Sequence, residues 1–245
     1  MKYMIHLTPK RKWYVDKYLV PSMIEQGINK EDIIYWNDDQ GYGNLTSWVK
    51  SCEWCNDNLD TYDGTWHLQD DIVICRDFKK RCDELANGND IICGFFEKST
   101  LKQQPFKFGG RKTPKEMCNS FQCIYIPNYL LKMFPMWFND KVNGTYYKVN
   151  KNGDIRCDAV GVYECSKLGY AKLNKNDDAI FNRYLKEKYP TQFVYNLEKP
   201  LVQHIDYLLG GSLLYERKSV YETTNFDKDI VKELEEKLKD EVHNS

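Results

Sequence analysis

The chain has 245 residues, with 35 basic against 36 acidic side chains and 42% hydrophobic residues. That length supports one large domain or two small ones, and it can bury a substantial core without staples. The near-cancelling charge excludes a general nucleic-acid-binding protein held by a positive excess, while leaving room for a local basic patch.

In chain order, Tyr3 to Leu7 reads as a short buried strand, broken by Thr8-Pro9. Residues 10–26 carry apolar side chains at 15, 19, 20, 23 and 24, the spacing of a helical face, with Pro21 expected to kink it or start a second helix. Ile33 to Trp36 is the next strand and stops at Asn37-Asp38-Asp39. Asn44 to Asp57 reads as a helix with Trp48 and Cys52 on one side. Thr65 to Leu68 and Ile72 to Cys75 are strands, Asp77 to Asn87 a helix, and Asp90 to Phe96 a strand. This alternation implies a mainly parallel sheet with helices on its faces. In such sheets ligands bind at the carboxyl ends of the strands, where Thr8, Asn37 to Asp39 and Gln69 to Asp71 fall.

The second half is less regular. Residues 103–115 form a basic loop containing Gly and Pro, with Lys107, Arg111, Lys112 and Lys115. Cys123 to Ile126 is a strand and Pro127 to Phe138 holds a helix. Turn signals stand at Asn143-Gly144 and Asn152-Gly153. Asn176 to Lys188 is a helix, Phe193 to Tyr195 and Leu201 to Ile205 are strands, and Asp227 to Val242 is an amphipathic charged helix. No internal repeat or linker divides the chain, so one main domain over 1–220 is expected, followed by a helical segment over 221–245. That last helix has apolar residues at 230, 231, 234 and 238, which suit docking on the protein's own sheet or pairing with a second copy in a homodimer.

The nine cysteines are an odd number, and several lie in apolar runs such as Ile72-Val-Ile-Cys75, which suits buried thiols in a reducing compartment. Cys52-x-x-Cys55 has zinc-knuckle spacing but no second ligand pair at a suitable distance, so two helical residues are the expected reading. The first residues hold too short an apolar stretch for a signal peptide, and no run reaches the ~18–20 apolar residues of a membrane span. A soluble, cytoplasmic protein is therefore expected. Abundant Lys, Asn and Ile suggest an AT-rich genome, bacterial or viral.

Gln69-Asp70-Asp71 lies between two apolar strands. Paired carboxylates in such a place are costly unless compensated, and a hard divalent cation compensates them directly. The alternative is a tight turn with two solvated aspartates. His204, late in the chain at the end of a strand, can return to the same place as a neutral imidazole ligand, or be a core histidine held by a carbonyl. Asp177-Asp178 opens a helix. Two acids in a first turn behind Asn176 as N-cap suit the helix dipole, and one of them can equally serve as a general base. Asp38 or Asp39 can bind an imide N–H or a ribose hydroxyl, with Gly41, Gly43 and Asn44 beside them.

The order of these pieces resembles a GT-A glycosyltransferase: strand, helix, strand with an acid, a DxD-like motif, an acidic pair opening a late helix, then a strand with His. Pro200-Leu-Val-Gln-His204 is similar to a segment found in several such enzymes. The resemblance implies an α/β, Rossmann-like single domain. It also implies a nucleotide-sugar donor, UDP-linked by preference, held with Mn2+ or Mg2+. Asp71 and His204 would be the metal ligands. Thr8, Asp38, Asp39, Asn44, Gln69 and Asp70 would contact the donor. Asp178 by preference, or Asp177, would be the base. Gln69 stands where the family has an acid. The size is similar to transferases of bacteriophages and of surface-polysaccharide clusters, so the acceptor could be a glycan, a protein or a hydroxymethylated base in DNA. A metal-dependent nucleotidyltransferase and a catalytically idle nucleotide-sugar-binding protein remain the alternatives.

Overall fold

A computed structural model describes residues 1–39, 44–95, 111–112, 121–143, 147–149, 155–157, 162–164, 177–197, 199–210 and 226–242. The strands are β1 (Lys2–Leu7), β2 (Ile33–Asn37), β3 (Gly64–Gln69), β4 (Ile72–Ile74), β5 (Ile91–Cys93), β6 (Arg111–Lys112), β7 (Cys123–Pro127), β8 (Tyr147–Val149), β9 (Ile155–Cys157), β10 (Val162–Glu164), β11 (Val194–Asn196) and β12 (Val202–His204). Among the described residues the central sheet has seven strands in the order β2-β1-β3-β7-β5-β11-β6. The β1–β2, β1–β3 and β5–β11 pairings are parallel, whereas β7 and β6 run against their neighbours. Five strands thus share one direction, giving the mostly parallel, helix-flanked sheet that the alternation implies.

Period-two burial explains why both faces of this sheet are covered. Tyr3, Ile5 and Leu7 of β1 join Trp66 and Leu68 of β3 in one core, while Met4 of β1 faces the other. The helical segment 12–25 packs Tyr14, Val15, Leu19, Val20 and Met23 into the first core. The helix Asn44–Asn58 packs Leu45, Trp48, Val49, Cys52 and Cys55 into the second. Helices therefore cover opposite faces, and the two connections β1-to-β2 and β2-to-β3 place β2 and β3 on opposite sides of β1. The chain order reverses at β1, which makes the carboxyl edge between β1 and β3 a topological switch point.

Pro21, expected to kink the helix or start a second one, stands in the first turn of a second α-helical segment, Val20–Glu25. The turn Val15–Leu19 is a π-helix, and Val20 donates its N–H to the carbonyl of Val15. That wider turn accommodates the proline that follows. Several expectations are corrected. β4 and β12 leave the main sheet and form their own antiparallel pair. Within the strand expected over 90–96, β5 covers Ile91–Cys93, and residue 96 lies outside the described residues. The helix expected over 127–138 is two helices, Asn128–Lys132 and Phe134–Asn143, separated at Met133. Arg111 and Lys112, expected in a loop, form the edge strand β6 against β11. The polar stretch after 139 contains β8, which joins β9 and β10 in a three-stranded antiparallel sheet. Cys52 and Cys55 are free thiols buried on one helix, as expected of them. The remainder of the basic loop, including Lys107 and Lys115, and the expected N-cap Asn176 lie outside the described residues. So do Gly41 and Gly43. No helix among the described residues is long and apolar enough to cross a membrane.

Candidate functional site

The site is built where β1 and β3 end. Thr8 follows β1 in extended conformation, and Pro9 opens a short 3-10 turn, Pro9–Arg11. Proline suits a first helical position because its missing N–H has no partner to lose there. This turn sends Arg11 back across the strand edge instead of into solvent. Asp70 and Asp71 occupy the two-residue break at which the chain leaves β3 for β4. His204 lies opposite Ile72 in the β4–β12 ladder, and the N–H of Ile205 donates to the carbonyl of Asp71 at 2.8 Å. The sheet switch and this ladder thus bring together residues about 60 and 130 positions apart in the sequence.

Protein donors reach three of the four oxygens of Asp70 and Asp71. Thr8 donates both its backbone N–H (2.6 Å) and its hydroxyl (2.7 Å) to Asp70 Oδ2. Arg11 Nη1 donates to Asp70 Oδ1 at 3.0 Å and also to Asp71 Oδ2. His204 Nε2 sits 3.0 Å from the same Asp71 oxygen, and its Nδ1 is 3.5 Å from Asp206 Oδ1. Arg11, Asp70, Asp71, His204 and Asp206 are each no more than 5% exposed. Asp71 Oδ1 and both Asp206 oxygens have no hydrogen-bond partner among the described residues.

The titration behaviour follows from this arrangement. Burial pushes the Asp70 carboxyl up, and Asp71 adds to the effect, against the pull of Arg11 and Thr8. Burial works on Asp71 in the same sense but is outweighed by His204 and Arg11, so its carboxyl titrates below the usual range. Burial opposes a charged His204, yet Asp71 and Asp206 raise it above its ordinary value. Burial raises Asp206.

The resemblance implies a divalent cation on Asp71 and His204, and the structure does bring that pair together. The donor set as arranged does not fit such an ion. The Asp71 oxygen nearest His204 already accepts from two cationic donors, and both His204 ring nitrogens face carboxylates. Among the described residues no group of three or more His, Cys, Asp and Glu is placed to hold a metal.

The other expected residues surround this centre to different degrees. Asp38 is held beside β1, its N–H donating to the carbonyl of Leu7 at 3.1 Å, so it stands next to Thr8. Asp39 is exposed. The helix Asn44–Asn58 starts at Asn44, whose side chain lies outside the described residues. Gln69 is half-buried and its N–H is tied to the carbonyl of Gln122. Asp177 and Asp178 open the helix Asp177–Lys188, and the N–H of Asp178 donates to Asp177 Oδ1 at 3.0 Å. Burial, reinforced by Asp178, pushes the Asp177 carboxyl up to about 7. One turn further, Phe181 packs on Trp48, which packs in turn on His67 with ring centroids 4.8 Å apart.

Sequence reasoning missed four participants: Arg11, Asp206, His6 and His67. Arg11 is legible only as the basic residue two positions after the Pro9 that ends β1. Asp206 lies two residues beyond His204. His6 Nε2 and His67 Nδ1 are 3.1 Å apart, and burial depresses both, His6 to about 3, so the pair is neutral. Their pairing reflects the β1–β3 register, in which Met4 stands opposite His67, and nothing in local sequence announces it.

No family model and no curated protein matches this chain. Among solved structures it is similar to A197 from STIV, with 13% identity, a TM-score of 0.42, and coverage of 84% of this chain and 86% of that one. At that identity and score the likeness carries no argument about function.

Proposed function

We propose that the carboxyl edge between β1 and β3 binds the diphosphate part of a nucleotide sugar, and that the protein is a glycosyltransferase acting on a hydroxyl acceptor. The observation supporting this reading is the convergence of Thr8, Arg11, Asp70, Asp71 and the backbone of Asp38 at a sheet switch point. That place is where doubly wound sheets receive nucleotides. Asp38 is suited to a ribose hydroxyl or a base imide. Arg11, bonded to Asp70 and Asp71, holds the two carboxylates in place at this edge.

In the reaction the acceptor oxygen attacks the anomeric carbon. The bond from that carbon to the phosphate oxygen breaks, and the nucleoside diphosphate leaves with the electron pair. The acceptor proton passes to a carboxylate. Asp177 has the property that this step needs, because a carboxyl titrating near 7 can take up a proton at neutral pH. Asp178, next to it, is the alternative base. No step is assigned to Mn2+ or Mg2+.

A panel of UDP- and other nucleoside-diphosphate sugars tests the reading, with binding followed by calorimetry and transfer by nucleotide release. Glycan, protein and hydroxymethylated DNA serve as acceptors. At least one donor should bind, and Asp177→Asn or Asp178→Asn should lower kcat by ~10²-fold with donor binding little changed. Failure of every donor to bind would sink the proposal. Release of pyrophosphate from a nucleoside triphosphate would point to a nucleotidyltransferase. Binding without turnover on any acceptor would point to an idle binding protein.

A further inference from the structure

The Asp70–Asp71 pair has a cation built into it. Arg11 Nη1 bridges the two side chains, reaching Asp70 Oδ1 at 3.0 Å and Asp71 Oδ2 more closely. We propose that Arg11 is the resident cation of this carboxylate pair and excludes a divalent metal from it, so that diphosphate ligands bind at this edge without one.

Three observations support this. First, three of the four carboxylate oxygens are committed to protein donors, and Asp71 Oδ1 alone has no partner among the described residues. Asp70 Oδ2 is held by both the N–H and the hydroxyl of Thr8, and Asp71 Oδ2 is shared by Arg11 and His204. Second, the guanidinium is closed off from solvent. Arg11 is 5% exposed, and its turn is fixed by its own N–H donating to the carbonyl of Thr8 at 3.0 Å and by Lys12 N–H donating to Pro9. Third, the charges already nearly cancel at the pair. A divalent ion takes carboxylate oxygens at roughly 2.0–2.6 Å, and on Asp71 Oδ2 it would lie against two positively polarised donors. In a buried setting such like-charge contact is costly. A buried ion pair loses most when one partner is removed, because the other charge is left uncompensated. Removing Arg11 should therefore create the metal site that the acid pair resembles.

The inference uses the nucleotide-sugar reading only for the diphosphate ligand. Its decisive test reads cation binding alone, so the two can fail separately. Mn2+ is titrated into the full chain and followed by electron paramagnetic resonance, for the wild type, Arg11→Met, Asp71→Asn and the Arg11→Met, Asp71→Asn double variant. The wild type should show no Mn2+ binding that Asp71→Asn removes. Arg11→Met should bind Mn2+ at least tenfold more tightly than the wild type, and the double variant should lose that gain. Circular dichroism and thermal melting establish that Arg11→Met is folded. If it is not, the comparison of wild type with Asp71→Asn decides alone: equal Mn2+ binding upholds the proposal, and a loss in Asp71→Asn overturns it. Wild-type Mn2+ affinity equal to that of folded Arg11→Met also overturns it. As a second readout, UDP affinity of the wild type should differ less than twofold between EDTA and Mn2+, and a tenfold gain with Mn2+ would refute the exclusion.

Discussion

Thr8 binds a single oxygen of Asp70 twice, through its N–H at 2.6 Å and its hydroxyl at 2.7 Å. These two bonds join the ends of β1 and β3 and fix the orientation of the carboxylate that Arg11 meets. Thr8→Val keeps the side-chain shape and the backbone donor but deletes the hydroxyl. A hydrogen bond to a charged group contributes about 1.5–3 kcal/mol, so the urea midpoint should fall correspondingly with an unchanged m-value. An unaltered midpoint would mean that water replaces the hydroxyl without loss.

The Asp71–His204 pair gives stability a pH dependence of definite sign. His204 titrates above its ordinary 6.5 in the folded protein, because Asp71 and Asp206 outweigh the burial that opposes its charge. Its contribution is complete below 6.5 and is lost as pH rises through the folded value. Asp71 titrates below its ordinary 3.8, with His204 and Arg11 outweighing burial. Its contribution is present above 3.8 and is lost as pH falls through the folded value. Asp177, raised to about 7, loses stability as pH climbs from 3.8 through that value, and the raised Asp70 and Asp206 act in the same sense, so the wild-type curve alone mixes these effects. Melting temperatures of wild type and His204→Gln should therefore be compared across pH. The difference should be largest between about 4 and 6.5 and shrink on the alkaline side. A difference that is constant with pH would show that His204 is never charged.

Much of the architecture is legible because burial repeats with the period of each element. Tyr3, Ile5 and Leu7 mark one face of β1, and Leu45, Trp48, Val49 and Cys52 mark one face of a helix, by local spacing alone. Asp70, Asp71 and His204 are likewise visible as polar residues at strand ends, and they do meet. The cation that meets them is not visible, because Arg11 reads as one of three consecutive basic residues, Lys10-Arg11-Lys12, on a polar turn. Only the turn at Pro9 separates its buried fate from the exposure of Lys10 and Lys12. The β4–β12 pairing was equally hidden: two short apolar runs some 130 residues apart carry no signal of whether they join the main sheet or each other.

The terminal helix Lys228–Val242 presents two kinds of contact to the body, and they should differ sharply in weight. Leu234 and Leu238 are 6% exposed and belong to the core that includes Tyr14 and Phe78. Arg76, by contrast, reaches Glu233 at 2.7 Å and Asp227 at 3.5 Å from a largely exposed position. Exposed ion pairs contribute little because solvent and salt screen them. Arg76→Ala should therefore leave the helix protected from hydrogen exchange. Leu234→Ala removes buried apolar volume, for which core replacements cost about 2–5 kcal/mol. Exchange across 228–242 should accelerate at least tenfold, as the helix opens before the remainder of the chain. Leu234 and Leu238 of the apolar stripe are already buried against the chain's own core, with Ile230 and Val231 half-buried beside them, so this protection should not depend on protein concentration. Protection that rises with concentration would instead place a second copy on the stripe.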